Sequence, residues 1–90
     1  MAHEVPIERE IDLHAFAPRD IPSVVEEYIG AAARAGFRDV RVVHGRGKGV
    51  QRGIVQATLD RLPQVEEFQD DTAAHLGATL VRLKADTTEA

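Results

Sequence analysis

Residues Asp39 to Gly45 read DVRVVHG, a compact β-branched run that stops at a cluster of glycines. Branched side chains pack well on a pleated sheet and lose freedom in a helix, so this run predicts a central strand. Directly after it, HGRGKGVQRG (His44 to Gly53) holds four glycines, two arginines, a lysine and a histidine. Beyond the first glycines, Ile54, Val55, Thr58, Leu59 and Leu62 fall three and four apart. That is the stripe of a helix starting near Val50 and stopping before Pro63. A strand that enters a helix through a glycine loop is half of a β-α-β unit, which pairs its strands in parallel through a right-handed crossover.

The rest of the chain supplies the partners. EIDLH, Glu10 to His14, alternates, with Ile11 and Leu13 on one side and Asp12 and His14 on the other, a short half-buried strand. A turn with Pro18, Asp20 and Pro22 follows, in which Asp20 can cap a helix. Ile21, Val24, Val25, Tyr28, Ile29, Ala32 and Ala33 form that helix's stripe, and Gly36 ends it. Val65 to Gln69 reads as a third strand, and ATLVRLK, from Ala78, as a fourth that can hairpin with it. The order β-α-β-α-β-β predicts an α/β two-layer sandwich: a four-stranded mixed sheet with two helices on one face. Residues 1–9 read as a flexible arm, 10–84 as the domain and 85–90 as a tail.

Ninety residues suffice for one small core. Without cysteine, neither a disulfide nor a thiolate metal site is expected. No apolar run approaches the roughly 18 residues that span a bilayer, and MAHEVPIERE is too charged for a signal peptide. A soluble cytoplasmic domain with no membrane contact is expected, and no leftover apolar stripe demands an oligomer. The net charge is −4, but it is unevenly spread. Arg34, Arg38, Arg41, Arg46, Lys48 and Arg52 are opposed within their stretch by Asp39 alone, whereas Glu66, Glu67, Asp70 and Asp71 reverse the sign. The chain reads as electrically two-sided.

Glycines allow positive φ and close approach of a ligand, and the first amides of a helix point back toward the loop before it. With Arg46, Lys48 and Arg52 beside them, Gly45, Gly47 and Gly49 outline an anion pocket suited to phosphate; a tight turn with only a structural purpose is the alternative. The spacing is neither a Walker loop nor a dinucleotide fingerprint. Val81 and Leu83 facing inward put Arg82 and Lys84 on the open sheet face. His14 and His44 each end a strand, and parallel strands bring those ends to one edge, where ligands of α/β sheets collect. Asp12, His14 and His44 could gather there, a histidine transferring protons and the carboxylate orienting it; a surface or structural role is the plainer reading. Asp12, His14, His44 and His75 match no familiar metal spacing, so no cofactor or metal is expected.

Taken together these segments resemble the Smr (small MutS-related) domain, over about Glu8 to Leu83. IDLH is similar to the family's opening L-D-L-H-G element, VVHGRGKG to its H-G-x-G-x-G element, and LGATLVRL to its closing G-A-T segment and last strand. The resemblance implies an α/β sandwich that binds DNA or RNA. It also implies an endonuclease that nicks phosphodiesters, with links to DNA repair, recombination or RNA processing. It marks Asp12, His14, His44, Gly45, Arg46 and Gly47 as the positions to watch. A binding module without chemistry, or a protein–protein module using the acidic strand, stands beside it. Two departures from the family pattern stand out: Ala15 follows the first histidine in place of a glycine, and Ala74 and His75 stand where paired glycines are usual.

Overall fold

A computed structural model of the chain describes residues 7–45, 49–74 and 77–85. Four strands and two long helices follow one another as β1 (Glu10–Asp12), α1 (Ile21–Arg34), β2 (Asp39–Val43), α2 (Val50–Arg61), β3 (Val65–Asp70) and β4 (Ala78–Leu83). The sheet order is β1-β2-β4-β3. β1 runs parallel to β2, and β4 is antiparallel to both its neighbours. The last strand thus enters the middle of the sheet, beside the β-branched run of β2.

One apolar face carries the fold. Leu13, Val40, Val42, Val81 and Leu83 alternate onto one side of the sheet and are buried with Ile21, Val25, Tyr28, Ile29 and Ala32 of α1 and Val55 and Leu59 of α2. A single cluster fed by both helices means that both cover the same face. Burying each such side chain is worth about 1.5–3 kcal/mol.

Helix boundaries follow from local chemistry. Asp20 occupies the N-cap of α1 but makes no side-chain cap bond. A 3₁₀ turn, Pro18–Asp20, leads into α1 instead, with the Asp20 N–H donating to the Ala17 carbonyl at 2.9 Å. At the other end α1 closes with two crossed bonds, Gly36 N–H to Ala33 at 3.1 Å and Phe37 N–H to Ala32 at 3.0 Å. Gly36 adopts φ +89°, the left-handed conformation this closure requires. α2 stops where Leu62 turns extended ahead of Pro63.

β1 is shorter than its alternation predicted. It ends at Asp12 because Asp12 Oδ1 accepts the His14 N–H at 2.9 Å and turns the chain. Upstream, the Arg41 N–H donates to the Arg9 carbonyl at 2.8 Å, the Tyr28 hydroxyl donates to the Glu8 carbonyl, and the Arg9 guanidinium lies 5.1 Å over the Phe37 ring. Residues 7–9 are thereby bound to the body of the domain.

Candidate nucleic-acid interface

Because β1 and β2 are parallel, their C-terminal ends share one sheet edge with the 3₁₀ turn before α1 and the first turn of α2. That turn lies against α2, which draws the two loops together. On the outside of this edge sit Asp12 and His14, whose side chains are 61% and 75% exposed. The backbone bond from His14 fixes the Asp12 carboxylate, and His14 Nδ1 lies 3.6 Å from the same oxygen. That separation is too long for a strong hydrogen bond.

His44 lies elsewhere. Strand alternation sends Val40, Val42 and His44 to the helix side, and His44 is 2% exposed. Its Nδ1 faces the Gly45 carbonyl at 3.0 Å and its Nε2 the Thr79 hydroxyl at 2.9 Å. Gln56 Nε2 donates to Thr79 Oγ1 at 3.1 Å and to Asp70 Oδ1 at 2.9 Å. Arg52 grips Asp70 with two bonds of 2.7 Å. One assignment satisfies every atom: Nδ1–H donates to Gly45, and Thr79, accepting from Gln56, donates its proton to Nε2. His44, Thr79, Gln56, Asp70 and Arg52 form a chain from the end of β2 through β4 and β3 to the first turns of α2. The expectation that Asp12, His14 and His44 converge is corrected here: the first two are outside, the third inside, with both ring nitrogens engaged.

Asp70 is held at about 2, below its ordinary 3.8, chiefly by the Arg52 guanidinium and next by the Gln56 amide. A folded value below the ordinary one means stabilisation that is present above the normal carboxylate range and is lost as pH falls through about 2. Asp70→Asn is therefore expected to lower the melting temperature at neutral pH. Its deficit against the parent should close between about pH 4 and pH 2 in a thermal-melt series. A deficit of constant size across that range would contradict the pairing.

The electrically two-sided reading is also corrected. Glu66 pairs with Arg38 at 4.0 Å, Glu67 with Arg82 at 3.7 Å, Asp70 with Arg52 at 2.7 Å and Asp71 with Arg41 at 2.8 Å. Arg41 also reaches Glu10 at 2.9 Å and Arg82 reaches Asp39 at 3.4 Å. On the open sheet face Arg41 and Arg82 are matched by Glu10, Asp71, Asp39 and Glu67, while the Arg52–Asp70 pair joins β3 to α2. Of the residues expected to hold phosphate, Arg52 and Arg82 are thus engaged with carboxylates. The Gly45 N–H, with that of His44, is taken by the Gly77 carbonyl at 2.9 and 3.0 Å. Gly49 caps α2 at φ +84° with no side chain to satisfy the helix amides. Arg46, Gly47, Lys48 and His75 lie outside the described residues. Ala15, in place of a family glycine, is exposed in the turn after His14.

Gln56 and Thr79 escaped sequence reasoning: Gln56 belongs to no motif, Thr79, although it closes the G-A-T segment, carries no role that the motif assigns, and their meeting needs β4 beside β2. Among the described residues, no group of three or more His, Asp or Glu side chains is placed to hold a metal ion, and no helix is long and apolar enough to cross a membrane.

A family model described as "Smr domain" matches residues 11–84. The chain belongs to the Smr domain family. The Smr domain is 35% identical over 83 residues to the Endonuclease MutS2 of Caldicellulosiruptor bescii, covering 90% of this chain and 10% of that protein. It is also 35% identical over 80 residues to Endonuclease MutS2 of Thermomicrobium roseum. It therefore spans about a tenth of the length of the curated relatives it matches. Among solved structures, the crystal structure of the Smr domain of Thermus thermophilus MutS2 superposes with a TM-score of 0.78 at 28% identity, over 83% of this chain and 96% of that one. YdaL, a stand-alone small MutS-related protein from Escherichia coli, shares the fold with a TM-score of 0.79 at 23% identity, over 88% of this chain and 66% of that one.

Proposed function

We propose that this Smr domain binds the phosphate backbone of DNA or RNA at the edge shared by β1, β2 and the start of α2, and nicks it there. The observation that carries this reading is the exposed Asp12–His14 pair, seated in the IDLH motif beside the glycine loop. In the proposed step a water oxygen bonds to phosphorus and the P–O bond to the departing nucleotide breaks. His14 moves the proton, and the Asp12 carboxylate stabilises the imidazolium. His44, occupied on both nitrogens, holds the loop in place. The name of the MutS2 relatives, endonucleases, supports the chemistry; a cytoplasmic part in DNA repair or recombination is proposed with it. A binding module without cleavage is the second reading. The burial of His44 favours it, because among the described residues one exposed histidine is left to do the work of acid and base.

With Arg52 and Arg82 paired, the grip on phosphate falls to cations of the glycine loop. Affinity should drop steeply with salt as counterions are released, and Arg46→Ala with Lys48→Ala should make the slope of log affinity against log salt shallower by about 2. A salt-titrated binding and cleavage assay on matched DNA and RNA, with and without magnesium, tests this. A flat salt response in the parent would remove the nucleic-acid reading. Tight binding with no product would leave the second reading standing.

A further inference from the structure

The same edge carries a set of side chains that neither the motifs nor the phosphate grip explains. Among the described residues, two large apolar side chains are left exposed, Phe16 at 39% and Val50 at 59%. Both belong to this edge: Phe16 to the turn after β1, where its N–H donates to the Leu13 carbonyl at 3.0 Å, and Val50 to the first turn of α2. Arg19 lies between Phe16 and α1, exposed and without an ion-pair partner among the described residues. Arg34 and Lys84 are likewise exposed and unpaired, but they lie at the opposite edge, where α1 ends and where β4, antiparallel to β2, finishes. An unspent guanidinium and the exposed aromatic thus stand three residues apart in the connection between β1 and α1.

An exposed ring costs hydration and gains nothing from a phosphate. It gains from another π-face, and a continuous duplex hides its bases from an outside loop. An unpaired nucleotide presents a base to stack and a phosphate to pair in one unit, which is the combination Phe16 and Arg19 offer. We propose that Phe16 and Arg19 form a stacking site for an unpaired base of the bound strand, so that the ligand of this edge is single-stranded or frayed nucleic acid rather than continuous duplex. This rests on the nucleic-acid reading above and names its substrate class. Asp12 and Asp20 are the carboxylates nearest in sequence. Asp12 accepts the His14 N–H, so its charge is turned toward the imidazole side of the turn.

The test is fluorescence-polarisation binding of the whole domain to a labelled single strand, to the same strand in blunt duplex, and to an abasic strand. Phe16→Ala should weaken the single strand by about 5- to 150-fold, the range of a single base–aromatic stack, and leave duplex and abasic strand unchanged. Phe16→Trp should restore binding, and its fluorescence should quench when the single strand is added. Arg19→Ala should make the salt slope shallower by about one. Equal loss on single strand and duplex would overturn the proposal, since Phe16 would then act as a wedge in paired DNA. A shift of Phe16→Ala in sedimentation would overturn it by assigning the ring to a second copy of the chain. A parent that binds single strand and duplex alike, with Phe16→Ala indifferent, would sink the stacking site alone. A parent that binds neither would sink the nucleic-acid reading with it.

Discussion

His14→Ala should abolish nicking, lowering the cleavage rate by about 10²–10⁴, the usual contribution of a positioned acid or base, while the melting temperature stays with the parent. The imidazole is 75% exposed and carries no packing load, and a surface substitution of this kind shifts stability by about 0.5 kcal/mol or less. Binding of uncut strand should survive, because the proposed phosphate grip lies in the glycine loop and not at His14. Asp12→Asn should slow the same step by a smaller factor, since in the proposed step the carboxylate acts through the imidazole. A plasmid-nicking time course alongside a thermal melt decides the matter. Undiminished cleavage by the alanine variant would remove His14 from the reaction.

His44→Ala should behave in the opposite way. Deleting a ring that is 2% exposed opens a cavity and strands the Thr79 hydroxyl and the Gly45 carbonyl, each stranded group costing about 1–3 kcal/mol. In a domain whose whole stability is about 5–15 kcal/mol, the melting temperature should fall by about 10 °C or more. Any cleavage lost should follow the folded fraction. Thr79→Val, which keeps the volume and removes the hydroxyl, should reproduce part of the drop, and amide exchange at Gly45 should quicken in both. A His44→Ala protein that melts with the parent yet fails to cut would return the imidazole to the chemistry and reverse the roles assigned to the two histidines.

The contrast between those residues shows where local reading succeeded and where it stopped. Short-range physics was enough for the elements. The stripe from Ile21 to Ala32, the left-handed stop at Gly36 and the β-branched run at Val40 each depend on neighbours within a few residues. Strand parity likewise sent Asp12 out with His14 and Val81 and Leu83 in. The order of elements was then enough for a mixed sheet with both helices on one side.

Parity alone also places His44 on the buried side, one step beyond Val42, but the pull of the motif put it with the chemistry. What it bonds to required the tertiary structure, because β4 enters between β2 and β3 and sets Thr79 opposite Val42. The same insertion lays β3's acids along arginines distant in sequence, so a chain that looks polarised when read in order is neutralised when folded. Periodicity is a property of successive residues, legible wherever backbone geometry repeats. Partnership is decided by which distant strand fills the centre of the sheet, and that follows from the packing of the whole core.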